Sequence, residues 1–110
     1  MRYAPAMVSA PGPGTALTGK QRRALRALGH ALAPVVQLGK GGLSDELVAA
    51  VDQALADHEL IKVKLLESFD LDRHDAAAQL AARTGSQVAQ VLGRTVLLYR
   101  PDPDEPRIDI

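Results

Sequence analysis

The sequence of 110 residues contains no cysteine, and its aromatic residues are limited to Tyr3, Phe69 and Tyr99. The absence of cysteine excludes a disulfide framework and any zinc site with a thiolate ligand. So few aromatic side chains argue against a sheet that stacks an array of nucleic-acid bases. No apolar run approaches the length of a membrane span and no secretory signal is visible, so we expect a cytoplasmic protein.

The sequence also lacks net charge, because thirteen basic residues balance thirteen acidic ones. The two signs are nevertheless separated along the chain. Residues 1–44 carry six basic residues and no acid, whereas residues 45–110 carry seven basic and thirteen acidic residues. A net charge of zero can therefore conceal a basic surface that attracts a polyanion.

Hydrophobic periodicity predicts one domain at residues 17–101. A flexible leader rich in proline and glycine is expected at 1–16, and an acidic, proline-rich tail at 102–110 is expected to stay off the core. The predicted order is helix, strand, helix, strand, helix, strand, strand. Strands separated by helices favour parallel pairing, and a final hairpin adds an antiparallel pair. We therefore expect an α/β fold, a compact two-layer sandwich with a mixed four-stranded sheet.

The first helix is predicted to begin at a capping box of Thr18 and Gln21 and to end near Gly29, before Pro34. One face of this helix is apolar and the opposite face is cationic. Such a run is usually a solvated helix face, but this one has no acid to pair with, which makes it a candidate for phosphate contacts. Its cations are Lys20, Arg22, Arg23 and Arg26.

A Gly-x-x-Gly turn with a lysine inside it lies between a short apolar strand at 35–38 and a helix capped by Ser44. Such a turn leaves backbone N–H groups free at the positive end of a helix, and glycine allows close approach. A sugar-phosphate backbone fits this place, as in KH-type modules. The alternative is an ordinary glycine-rich turn, and Asp45 and Glu46 place two anions beside the proposed site. The turn consists of Gly39, Lys40, Gly41 and Gly42.

Five separated segments of the sequence resemble one known family. They are residues 17–22, 34–43, 58–64, 84–85 and 93–101, with the sequences LTGKQR, PVVQLGKGGL, HELIKVK, TG and GRTVLLYRP. Together they resemble the CRM domain (chloroplast RNA splicing and ribosome maturation) in its single-domain bacterial form, the YhbY type. The resemblance implies a fold similar to the C-terminal domain of translation initiation factor three, and it implies that the chain binds RNA.

The resemblance further implies that the glycine turn and the cationic first helix form the RNA surface. It associates the stand-alone bacterial form with precursors of the large ribosomal subunit. We therefore interpret the chain as a ribosome-assembly factor whose partners are large-subunit precursor ribosomal RNA and the pre-ribosomal particle. No cofactor, membrane or small-molecule substrate is expected. Weaker candidates for RNA contact are Lys62, Lys64, Arg94 and Arg100.

Two other functions stay open at this point. A protein-interaction module docking on a ribosomal protein or an assembly GTPase would use the acidic residues 102–109. An enzyme is disfavoured, because no paired acid and base, nucleophile elbow or P-loop is present. The three histidines lack ligand-like spacing, and His30 and His58 are expected at helix C-termini. Tyr99 is expected to pack in the core rather than to stack on a base.

Overall fold

The computed structural model describes residues 16–110, so the expected leader lies outside the described residues except for its last position. Three helices and four strands follow in the predicted order. They are α1 (Gly19–Gly29), β1 (Val36–Leu38), α2 (Asp45–His58), β2 (Leu60–Leu65), α3 (Arg73–Thr84), β3 (Gln87–Leu92) and β4 (Thr95–Tyr99). The predicted α/β class is therefore confirmed. Within residues 16–110, no helix is long and apolar enough to cross a membrane.

The helices begin and end where side chains or glycine satisfy free backbone groups. Thr18 and Gln21 form the predicted capping box, in which each side chain accepts the backbone N–H of the other, at 3.1 and 3.0 Å. The Ser44 hydroxyl caps α2 by accepting the N–H of Leu47 at 3.2 Å. Gly85 ends α3 in the left-handed conformation. Such local signals explain why the starts of α1 and α2 could be predicted from the sequence.

The sheet has the strand order β1-β2-β4-β3. β1 runs parallel to β2, with Leu38 opposite Leu65, and both pairs that involve β4 are antiparallel. β3 and β4 form a hairpin across Gly93, which has a φ of 58°. The predicted mixed four-stranded sheet is thus confirmed. β1 is an edge strand, so the residues that follow it lie at one corner of the sheet.

Helices cover both faces of the sheet, so the helices and the sheet form three layers. A two-layer sandwich would have helices on only one face. α2 and α3 pack on a face that includes Ile61 and Val63 of β2. α1 packs on the other face, where Leu25 joins a buried cluster with Tyr99. The reason lies in β4, whose last four residues, 96–99, are all buried, so that both faces of this strand need apolar cover.

The tail at 102–110 packs against the domain, so the expectation that it stays off the core was wrong. Ile108 and Ile110 are partly buried against the α1 side of the sheet. Three backbone N–H groups of the tail, those of Asp102, Arg107 and Ile108, donate to the carboxylate of Glu59 at 2.6, 2.9 and 3.0 Å. Composition reveals the charge of the tail but not the buried acceptor that holds its backbone.

Candidate nucleic-acid interface

The glycine turn at 39–42 joins the end of β1 to the N-terminus of α2. The N–H of Gly42 donates to the carbonyl of Gly39 at 3.0 Å, and Gly42 has a φ of 64°, which favours glycine. A Cβ added at Gly41 or Gly42 would meet no heavy atom of the described chain within 4 Å. The turn therefore presents open backbone at the positive end of a helix, where an anionic group can approach closely.

The first two residues of the turn have different roles. A Cβ at Gly39 would lie 3.1 Å from the Ser68 hydroxyl oxygen and 3.3 Å from a methyl carbon of Leu66, so this glycine lets the turn pack on the loop after β2. Lys40 is exposed, and it forms no ion pair with any residue from 16 to 110. Its charge is free to meet a ligand at the turn.

The anion closest in sequence to the turn is paired with a cation from another helix. Arg83 of α3 forms a 2.7 Å ion pair with Asp45 and donates to the carbonyl of Leu43 at 2.9 Å. Asp45, which was expected to repel a phosphate, is therefore partly neutralised. Sequence reasoning did not single out Arg83, because a pair separated by 38 residues leaves no periodic signal. Glu46 is exposed and has no ion-pair partner in the described chain.

The four cations predicted on the first helix are all exposed on α1, and none forms an ion pair within residues 16–110. They are Lys20, Arg22, Arg23 and Arg26. α1 and α2 lie on opposite faces of the sheet. The turn and the cationic helix therefore belong to different layers, and an RNA strand that contacts both must pass over the sheet or its edge.

The lysines of β2 lie on the same side of the sheet as α1. Side chains alternate along a strand, and Ile61 and Val63 point to the α2 and α3 side. Lys62 and Lys64 therefore face the α1 side, where Lys62 is half-buried and Lys64 is exposed. Lys64 lies beside Gln37 of β1 in the sheet register. These lysines extend the cationic surface of α1 towards the edge strand that ends in the glycine turn.

The two arginines predicted as weaker candidates contact the protein itself. The Nε of Arg94 donates to the carbonyl of Leu65 at 3.0 Å. Arg100 donates to the Asp52 carboxylate at 2.6 Å and to the Thr84 carbonyl at 2.7 Å. Both guanidinium groups therefore connect elements of the fold, which gives them a structural role that the sequence did not indicate.

Tyr99 is fully buried, so the interpretation that it packs in the core is confirmed. Its hydroxyl has no hydrogen-bond partner among the described residues. Burial, with a smaller contribution from the charge of Glu59, raises the pKa of Tyr99 to about 12. A buried ring cannot stack on a base.

The histidines lie at separate helix ends. His30 caps the C-terminus of α1, His58 is the last residue of α2, and His74 lies in the first turn of α3. The expectation that His30 and His58 lie at helix C-termini is confirmed. Within residues 16–110, no group of three or more histidine, aspartate or glutamate side chains could hold a metal ion.

Comparison of the sequence with known protein families gives a match that spans the described domain. The model of the CRS1 / YhbY (CRM) domain matches residues 17–100. The chain belongs to the CRS1 / YhbY (CRM) domain family. The resemblance drawn from five sequence segments is thereby confirmed, and the match covers all seven helices and strands.

Known proteins match this chain over most of their own length. The Bacillus subtilis (strain 168) protein named "Probable RNA-binding protein YqeI" is 39% identical over 94 residues, which are 86% of this chain and 98% of that protein. A protein of Haemophilus influenzae named "RNA-binding protein" is 35% identical over 96 residues, covering 87% and 96%. The solution structure of the hypothetical protein SAV1595 from Staphylococcus aureus superposes with a TM-score of 0.74 at 37% identity, covering 86% of this chain and 99% of that one.

Proposed function

We propose that this CRM protein binds RNA and acts without catalysis as a cytoplasmic ribosome-assembly factor. Its target is precursor ribosomal RNA of the large subunit, within the pre-ribosomal particle. The observation that carries the proposal is the open glycine turn at the N-terminus of α2, with the unpaired Lys40 inside it. Relatives that are named RNA-binding proteins support RNA as the polyanion.

The turn holds one phosphate of the RNA backbone. The N–H groups at the start of α2 and the Lys40 ammonium bind the phosphate oxygens, while Gly41 and Gly42 leave room for close approach. The exposed cations of α1 and Lys64 supply further phosphate contacts. Contacts of this kind position the RNA without reading its sequence.

Salt dependence tests the electrostatic part of the proposal. With about five phosphate contacts to single-stranded RNA, log K should fall with log[salt] at a slope of about −3.5. Filter-binding titrations with a fragment of large-subunit ribosomal RNA at four salt concentrations measure this slope. A slope near zero would contradict phosphate binding.

Substitution of the lysine in the turn tests the site. Lys40→Asp should weaken binding strongly because it puts a negative charge at the phosphate position, whereas Lys40→Arg keeps the charge and should bind nearly as well as the wild type. Thermal unfolding checks that both variants are folded. Equal affinities of Lys40→Asp and the wild type would rule out the turn as the site.

Crosslinking in cells followed by RNA sequencing tests the proposed target. Enrichment of large-subunit precursor sequences over mature ribosomal RNA is expected, because an assembly factor leaves before maturation is complete. Recovery of unrelated messenger RNA alone would contradict the role in assembly while leaving RNA binding intact.

Protein docking is the second candidate function, and an apolar groove favours it. The groove has a volume of about 470 Å³ and is lined in part by Leu28, Leu32, Val35 and Ile108. Leu28 and Val35 are 47% and 51% exposed and lie in this one groove, and a cluster of exposed apolar side chains is typical of an interaction site. Pull-downs before and after RNase treatment separate the two functions: partners that survive RNase support docking, and their loss supports RNA binding.

A further inference from the structure

A cavity of about 420 Å³ lies directly beside the glycine turn. Lys40 and Gly42 form part of its wall, so the cavity begins where the turn presents its open backbone. Leu71, from the loop between β2 and α3, is 37% exposed and gives the cavity an apolar surface together with Leu43, whereas Phe69 of the same loop is buried, at 7% exposure. Its volume is in the range of pockets that hold small ligands.

Besides Lys40, two polar side chains in this cavity have no partner in the described part of the chain. Asp70 comes from the loop after β2 and Gln79 from α3, and both are exposed. Neither side chain makes a hydrogen bond or an ion pair with any residue from 16 to 110. An ionised carboxylate offers only acceptors, whereas an amide offers both donors and an acceptor. The cavity thus combines an apolar surface with the carboxylate of Asp70, which only accepts hydrogen bonds, the amide of Gln79, which donates and accepts, and the ammonium of Lys40, which only donates.

We infer that this cavity binds the base of the RNA nucleotide whose phosphate lies on the glycine turn, and that it prefers guanine. The inference rests on the proposed RNA binding and adds a base-reading subsite to it. Gly42 belongs to both the turn and the cavity wall, so one nucleotide can reach both. Apolar surface beside the turn suits the faces of a base, and Lys40 at its rim suits the phosphate.

Guanine matches the polar groups better than the other bases. Its Watson–Crick edge presents two adjacent donors, N1–H and the N2 amino group, and a carboxylate can accept both. Adenine, cytosine and uracil each present a donor next to an acceptor, and that acceptor would face an Asp70 oxygen. The amide of Gln79 can donate to the O6 of guanine. Asp70 is therefore the residue that selects the base.

Titrations with four single-stranded RNA heptamers test the inference. Each heptamer has uridine at six positions, and the central base is guanine, adenine, cytosine or uracil. Fluorescence anisotropy should give an affinity at least about fivefold higher for the guanine heptamer than for the uracil heptamer, the effect of one bidentate contact to a base.

Substitution of the two polar residues should remove this preference. Asp70→Asn puts an amide donor opposite the donors of guanine, and the four affinities should then agree within about twofold. Gln79→Ala should reduce the preference in part. The salt slope should not change in either variant. The matched control is Asp75→Asn, which removes an exposed carboxylate of the same part of the molecule outside the cavity, and it should keep the wild-type preference.

The outcomes distinguish the inference from the proposed function. If the wild type binds all four heptamers equally while Lys40→Asp weakens them all, the turn binds RNA and the base subsite is refuted. If Asp70→Asn keeps the preference for guanine, or another base is preferred, the subsite is refuted as well. If the wild type binds no heptamer and no ribosomal RNA fragment, the proposed function fails too.

Discussion

The carboxylate of Glu59 accepts a 3.0 Å hydrogen bond from the backbone N–H of Ile108, so the residue that directly follows α2 holds the tail against the domain. Glu59 is only 1% exposed and has a φ of 65°, which is unfavourable for a residue with a side chain. The hydrogen bonds to the tail offset this strain. A buried charge is tolerated here because three N–H groups surround it.

Glu59→Gln should therefore destabilise the protein. Glutamine keeps the size of the side chain, but it has one acceptor oxygen and turns donors towards the N–H groups of the tail. Loss of hydrogen bonds to a charged group should lower the free energy of unfolding by about 2–4 kcal/mol. Chemical denaturation measures the change. Glu67→Gln, in an exposed loop, is the control and should change stability by less than about 0.5 kcal/mol. Equal effects at both positions would contradict the role of Glu59.

Gly29 allows α1 to lie close to the sheet. A larger residue at position 29 should push α1 away from the sheet. A Cβ at this position would lie 2.7 Å from both methyl carbons of Leu97, which is itself buried. Gly29→Ala should lower the free energy of unfolding by about 1–2 kcal/mol, because overpacking outweighs the better helix propensity of alanine. Gly19→Ala is the control, since its nearest neighbour would be 3.6 Å away. Thermal melts in which Gly29→Ala is as stable as Gly19→Ala would contradict the close approach.

The local parts of this fold could be predicted from sequence, and the long-range parts could not. The first helix is an example, because the capping box of Thr18 and Gln21 marks its start within the sequence. The glycine turn was placed correctly before α2 for the same reason. By contrast, the hydrogen bonds of Glu59 to the tail and of Arg83 to Asp45 join residues that are 38 to 49 positions apart in the sequence. The hydrophobic periodicity of a sequence does not reveal contacts at such separations. The role of the surface cations in RNA binding stays a prediction.

Tyr99 should make stability fall in alkaline solution. Its pKa is about 12 in the folded protein and 10.0 without perturbation, so between these values the unfolded chain releases the proton and the folded one keeps it. The free energy of unfolding should then be fully maintained below pH 10 and should decrease as pH rises towards 12. Tyr99→Phe should lack this decrease. Because the hydroxyl has no partner in the described chain, the variant should be as stable as the wild type or more stable at pH 7.

Denaturant unfolding of the wild type and Tyr99→Phe at several pH values isolates the contribution of Tyr99, because the two proteins differ in no other ionisable group. A decrease of the same size in Tyr99→Phe would show that another group is responsible.

Arg83 should support RNA binding by neutralising Asp45 next to the turn. Arg83→Gln leaves the Asp45 carboxylate unpaired there and should weaken RNA binding about two- to fivefold, the effect of one exposed charge pair. Arg83→Gln combined with Asp45→Asn should restore the affinity, and anisotropy titrations of the double-mutant cycle measure the coupling. If the double variant binds as weakly as Arg83→Gln alone, Arg83 contacts RNA directly instead.

The exposed cations of α1 should contribute to RNA binding although α1 lies on the opposite face of the sheet from α2. Lys20→Gln combined with Arg23→Gln removes two positive charges and keeps good helix formers. If each cation contacts one phosphate of single-stranded RNA, the salt slope should change from about −3.5 to about −2.1, and affinity at 0.1 M salt should fall about twenty-fold. Filter binding at several salt concentrations measures both quantities.

The matched control for α1 changes the net charge equally on the other side of the sheet. Ala49→Glu combined with Ala78→Glu adds two negative charges at exposed positions of α2 and α3. If α1 contacts the RNA, this control should lower affinity only slightly and should keep the slope, because no phosphate contact is lost. A slope that stays at the wild-type value in the α1 variant would instead confine the RNA site to the glycine turn and the face that carries α2.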